Sequence, residues 1–256
     1  MFMAYPAKLE INLAEEFPRL ARAPIVEAVI GIRARAQAPW EEAAVAQSLK
    51  GSLPDYPDSQ PLAHMAVKLG SDQRGVPQDL GWDGFRFQNL DGKQIGAFTR
   101  DGFVFSRLQP YPNWEQFFGE AIRLWQIHDK VAKPMELQRV ELRFINRIEM
   151  PRGDFHFEDY IKHPPEPTEG LELPFDGFFH QDMMTVPGHP LAVNVVRTIQ
   201  PPSTPNCGVA VILDIYSFTT AEVNQKDLAQ RLLQMRWLKN KVFFGNITEK
   251  ALNLFR

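Results

Sequence analysis

Three arginines, each four residues from the next, carry the first chemical possibility in this chain. Arg139, Arg143 and Arg147 fall in RVELRFINRIEM, residues 139 to 150. Successive side chains of an extended chain point to opposite faces. The arginines therefore share one face with Glu141 and Glu149, while Val140, Leu142, Phe144, Ile148 and Met150 share the other. Guanidinium groups grip carboxylates and phosphates through two parallel hydrogen bonds, so this face can hold an anion, with Arg33, Arg35 and Arg197 as candidate additions. The competing reading is a solvated face of ion pairs, because Glu141 and Glu149 neutralise much of the charge and exposed pairs contribute only about 0–1 kcal/mol each.

Two residues break the alternation. Ile145 stands on the charged side, and Asn146 stands among apolar residues, where an unpaired amide costs roughly 1–3 kcal/mol. Asn146 is expected to bond a loop or a helix end, or else to meet a ligand. Asp214 interrupts VAVILDIYSF on a face shared with Ala210, Ile212, Tyr216 and Phe218. It is either a general base with a raised pKa or the partner of an arginine on a neighbouring strand, the reading we prefer. The candidate ligand-binding residues are thus Arg143, Arg147, Asn146 and Asp214. His156, His163, His180 and His189 lie near Asp154, Glu158, Asp159 and Asp182. These are suitable donors for zinc or iron, but their spacing matches no metal motif, and no metal is expected. No GxSxG, GxGxxG or Walker lysine pattern occurs, so no cofactor is expected either.

The elements that position these residues can be read from periodicity. APIVEAVIGIRARA, residues 23 to 36, alternates like the first segment, with Val26, Ala28, Ile30, Ile32 and Ala34 on one face and Glu27, Gly31, Arg33 and Arg35 on the other. A helix follows, opened by Pro39, Glu41 and Glu42 and closed by Lys50 and Gly51. Asp-Gly pairs at 91–92 and 101–102 predict a three-strand meander from Gly84 to Gln109. Asn113 caps an amphipathic helix with a stripe of Trp114, Phe117, Phe118, Ala121, Leu124 and Trp125. After the strand at 139–150 the sequence predicts a short helix at 154–163, a Pro-rich loop at 164–174, and strands near 177–186, 191–200 and 208–218. A helix over 225–243 buries Leu228, Leu232, Met235, Leu238 and Val242; Gly245 stops it, and Asn246 caps a last helix.

Both halves read strand, helix, three strands, helix, and an offset of 114 superposes several of their apolar positions. The expected fold is α+β: one domain over residues 1–256, pseudo-repeats 20–133 and 134–256, and a largely antiparallel sheet with helices on one face. If the repeats are real, their first strands meet antiparallel. We expect Glu27 opposite Arg147, Arg33 opposite Glu141 and Val29 opposite Ile145, with Arg143 opposite Gly31 and free to reach a ligand.

Composition narrows the classes of function. Twenty-eight basic against 31 acidic residues give a net charge of −3, which argues against nucleic-acid binding through phosphates. Cys207 is the only cysteine, so neither an internal disulfide nor a thiolate cluster can form. No apolar run approaches the length of a membrane span, and the N-terminal residues lack the pattern of a signal peptide; a cytoplasmic setting is expected.

The segments APIVEAVI, RFINRIEMP and ITEKALNLF resemble those of a family of uncharacterised bacterial proteins of sporadic distribution. The likeness runs from about Leu20 to the C-terminus, and Arg143, Asn146, Arg147 and Pro151 match its central motif. It implies a soluble bacterial protein and transfers no reaction. The order of elements is also similar to the duplicated saddle of the TATA-binding-protein type, a likeness of topology alone. The sequence therefore points to a non-enzymatic binding or protein-interaction module, a homodimer, taking a protein partner or a small anion. The rival is an enzyme with an Arg/Asp site on the open sheet face, drawing on Arg143, Arg147, Asp214 and His180 and acting on an anionic small molecule.

Overall fold

The computed structural model describes residues 7–69, 75–153, 156–166, 170, 177–205 and 207–256. In chain order the elements are β1 (Ile25–Arg33), α1 (Glu42–Ser52), β2 (Asp58–Leu69), β3 (Gly75–Gln88), β4 (Gln94–Thr99), β5 (Gly102–Leu108), α2 (Trp114–Ala132), β6 (Arg139–Pro151), β7 (Phe179–Thr185), β8 (Leu191–Gln200), β9 (Cys207–Thr219), α3 (Leu228–Asn246) and α4 (Glu249–Asn253). The strands form one antiparallel sheet in the order β2-β3-β4-β5-β1-β6-β9-β8-β7. This is the α+β, helix-covered antiparallel sheet that the periodicities imply.

Alternation builds the sheet and decides its faces. Ala28, Ile30 and Ile32 of β1, Val140, Leu142, Phe144 and Ile148 of β6, and Val211, Leu213 and Ile215 of β9 are buried on the side that α2 and α3 cover. Phe144 packs against Phe117 and Tyr111, with ring centroids 5.9 and 5.6 Å away. The Asp-Gly turns join β3 to β4 and β4 to β5 as expected, and Asn113 caps α2 by accepting from the Gln116 amide at 2.8 Å. A Cβ on Gly102 would lie 2.3 Å from the Ile32 carbonyl oxygen, so only glycine lets β5 approach β1 at that point.

The strand order is symmetric about the β1–β6 pair. Outward from it, β5 matches β9, β4 matches β8, and β3 matches β7. An offset of 114 carries Trp114–Ala132 onto Leu228–Asn246 and the start of β1 onto the start of β6. Several expectations need correction. The first half has a fourth strand after its helix, β2, which the periodicities did not predict; it holds Pro61 and lies at the sheet edge, where proline is tolerated. In place of the helix at 154–163 there is a single 3-10 turn, Phe157–Asp159, and Asp154 lies outside the described residues. Helix α3 runs through Gly245 to Asn246, and Thr248 rather than Asn246 caps α4.

The central register also differs from the expected one, by two residues. Glu27 faces Ile145, Val29 faces Arg143, Gly31 faces Glu141 and Arg33 faces Arg139. Beyond this ladder, between Ile25 and Glu27, the register shifts by one more residue: Ile25 pairs with Asn146, and Val26 is left over as the extra residue. Positions 29 and 143 are themselves related by the offset of 114, so matching positions of the two halves face one another. Because Phe144 is fully buried at the centre of this core, Phe144→Ala is expected to lower unfolding free energy by about 3–5 kcal/mol. Urea denaturation measures it, and a parent-like midpoint would contradict the packing described.

Candidate functional site

The open face of the sheet holds Arg143, Arg147 and Asp214, and their charges are answered locally. Arg143 forms a two-pronged pair with Asp214 on β9, Nε to Oδ1 at 2.9 Å and Nη2 to Oδ2 at 2.5 Å. Arg147 binds Glu149 at 2.6 Å, the Gln200 side chain at 2.8 Å and the Pro201 carbonyl. Arg139 binds Glu141 at 2.7 Å and lies over the Phe218 ring. The expected pairs Glu27–Arg147 and Arg33–Glu141 do not form, because the shifted register takes each residue away from its partner and nearer acids sit two positions along β6. Nor is Arg143 free. Arg197 is on the other face, opposite Leu213, bound to Asp182 at 2.8 Å and to the His163 carbonyl at 3.1 Å.

Asn146 departs from the other three candidates. It is 1% exposed and lies on the helix side, where it lines a cleft of about 880 Å³. Its Nδ2 donates to the carbonyls of Leu213 at 2.9 Å and Phe144 at 3.3 Å. That answers the demand for partners and leaves Oδ1 as the uncommitted acceptor. The cleft is bounded by the start of α2, by α3, and by residues 13–25, which cross over α3 before entering β1.

This crossing segment is fastened at several points. Leu9 donates to the Pro187 carbonyl at 2.8 Å, and His189 Nε2 meets the Leu9 carbonyl at 2.8 Å. Glu15 accepts from Trp237 Nε1 at 2.7 Å and from Lys241 Nζ at 2.8 Å; the Lys241 hydrogen bond leads in holding its carboxyl below the usual range. Phe17 stacks on Phe244, and Arg22 reaches the carbonyls of Leu254 and Phe255.

Inside the cleft stands Lys239, which pattern reading passed over. Its Nζ lies 4.3 Å from the centroid of the Phe144 ring and makes no hydrogen bond or ion pair with any described residue. Burial, and secondarily the charge of Arg236, pushes its pKa down to about 7. Three carboxylates line the cleft, none of them paired with Lys239: Glu15 binds Lys241 and Trp237, Glu115 lies 3.7 Å from Arg236, and Glu16 belongs to the crossing segment. Tyr111 shares the wall, its hydroxyl without a partner among the described residues and its pKa raised by burial, so it stays protonated and can donate a hydrogen bond. The first turn of α2 also faces the cleft through Asn113, Trp114 and Glu115, and the N-terminal end of a helix favours negative charge. A signal for Lys239 was present: it falls on the stripe Leu228, Leu232, Met235, Val242, four residues after Met235, where a cation is out of place.

The histidines do not assemble. His180 meets Asp182 at 3.0 Å at an exposed position, His156 is 3.8 Å from Glu158, and His189 serves the N-terminal segment. Among the described residues no group of three or more His, Cys, Asp or Glu side chains is placed to hold a metal ion. Nor is any described helix long and apolar enough to cross a membrane. No protein-family model and no curated protein matches the chain.

Lys239 should leave a mark on stability. Its proton is held to about 7 in the folded chain and to about 10.4 in the unfolded one. Between these values only the unfolded state binds it, so stability rises with pH through that window. Below it, the folded state carries the full cost of enclosing the cation. Lys239→Met is therefore expected to exceed the parent in stability by at least about 1 kcal/mol near pH 6, with the gap closing toward pH 10. Urea titrations at the two pH values test this; a gap that is constant or grows with pH would refute it.

Proposed function

We propose that the protein is a small-molecule-binding module whose ligand is an organic anion held in the cleft between α2, α3 and residues 13–25. The observation that carries this reading is the Lys239 ammonium, partly buried in the cleft with no hydrogen bond or ion pair to any described residue. A partly desolvated cation without a counter-charge is costly, and an acidic ligand reduces the cost. The first turn of α2 adds favourable potential at the same place, and the cleft volume of about 880 Å³ is that of pockets which enclose small organic molecules. This reading keeps the binding module expected from the sequence and moves its site to the other side of the sheet. The segments that carry the bacterial-family resemblance meet here: residues 23–25 and Asn146 line the cleft, and α4 with the residues after it anchors Arg22. That kinship is part of the proposal. An enzyme working through Arg143 and Asp214 is less well supported, since the two groups satisfy each other.

The test is a panel of carboxylic acids and their neutral amides of matched size, read by thermal unfolding and by the fluorescence of Trp114 and Trp237. Acids should stabilise the parent, by about 2.7 kcal/mol at a hundredfold excess over Kd, and amides much less. Lys239→Met should erase the difference, and Arg143→Ala, on the far face, should preserve it. Loss in Arg143→Ala with retention in Lys239→Met would return the site to the open face.

The homodimer is proposed on separate grounds. Strand β7 ends the sheet and exposes Phe179, Met183 and Met184 at 69%, 61% and 43%; an apolar edge strand invites pairing with another chain. Light scattering should give twice the chain mass, and Met183→Lys should shift it toward the monomer. A monomeric parent at all concentrations would remove this part of the proposal.

A further inference from the structure

We infer that Lys239 takes its ligand covalently, as an imine with the carbonyl group of a small oxo acid. The inference rests on the cleft-binding reading and specifies its ligand class. Three uncommitted groups share this cleft: the Lys239 amine, the Tyr111 hydroxyl and the Asn146 amide oxygen. Lys239 and Tyr111 both rest against the Phe144 ring, the first through Nζ at 4.3 Å and the second edge-on with centroids 5.6 Å apart. A simple anion site would require only a fixed cation, a task for which arginine is better suited than lysine. A lysine amine on an apolar ring, with no acid paired to hold its proton, is the arrangement of an amine nucleophile.

The chemistry balances without any oxidant or reductant. The Nζ lone pair adds to the carbonyl carbon, and the C=O pair moves onto oxygen, which takes a proton from water while the Tyr111 hydroxyl donates a hydrogen bond to it. The nitrogen gives up a proton, and the hydroxyl leaves as water once protonated. One carbonyl and one amine become one imine and one water. The Asn146 oxygen can accept the carbinolamine hydrogen, and the ligand's acid group faces the first turn of α2. With its pKa pushed down to about 7, half of the amine is neutral at that pH, whereas an ordinary lysine is neutral to about one part in a thousand or less.

The test treats the full chain with glyoxylate, which joins an aldehyde to a carboxylate, and with acetaldehyde, which lacks the acid. Cyanoborohydride then reduces any imine to a stable secondary amine, and peptide mass mapping finds it. The expected result is labelling of Lys239 by glyoxylate roughly tenfold or more ahead of each of the other ten lysines, a weaker preference with acetaldehyde, and suppression by propanoate. Labelling spread over the lysines according to their exposure overturns the inference. If Lys239 stays unlabelled while the acids of the panel still stabilise the parent and not Lys239→Met, the imine falls and the binding reading stands. If neither effect is seen, both fall.

Discussion

The pairing of β1 with β6 is the constraint on which the rest depends. Each is the first strand of its half, and Val29 and Arg143, matching positions of the two, face one another. Once that ladder is in place, Ile30 and Ile32 lie on the same side as Leu142 and Phe144, all within about 1% exposure. The apolar stripes of α2 and α3 have only that side on which to pack. The edges β2 and β7 are carried to the far ends of the sheet, and the cleft opens beside the β1–β6 pair, where residues 13–25 must pass over α3 to enter β1. The outer face is left with residues that either pair along β6 or reach β9.

Much of this could be read from the amino acids, because alternation and helical spacing report burial directly. The phase of β6 predicted both its buried residues and the anomaly of Asn146; the Asp-Gly turns located the meander; the offset of 114 paired the helices. The register was not legible: a slide of two residues keeps every side chain on its own face, so alternation cannot distinguish Glu27 opposite Arg147 from Glu27 opposite Ile145. Asn146 was visible as a polar residue owed a partner, but its partners are strand carbonyls that only the fold supplies. Lys239 was hidden by convention, since a lone lysine on a helix usually reads as solvent-facing.

The two faces of the sheet show why charge alone is a poor guide to a site. The outer face carries more ionised groups, yet nearly all are spoken for: Arg143 by Asp214, Arg147 by Glu149 and Gln200, Arg139 by Glu141. Such groups have little left to give a ligand, and their exposure dilutes what they contribute. The cleft is also lined by charged residues, but its amine has no ion-pair partner and its phenol no acceptor among the described residues. Binding free energy is available where partners are missing, because there the ligand replaces nothing of equal strength.

The matching strand order of the two halves allows a comparison within the molecule. The offset of 114 carries Ile32 onto Asn146 and Trp125 onto Lys239. In the first half, Ile32 and Trp125 are 1% and 5% exposed and close over Phe103, which pairs with Ile32 across the ladder and meets the Trp125 ring at 6.1 Å. The same two stations in the second half hold an amide and an amine, and beside them the core gives way to a cleft. Packing at the first pair shows that the architecture accepts a sealed apolar core at this position. Asn146 and Lys239 are therefore not required by the fold; each costs free energy that an isoleucine or a tryptophan would have spared. On the binding reading proposed above, the second half gives up stability at these stations for a site that the first half, which closes over them, does not have.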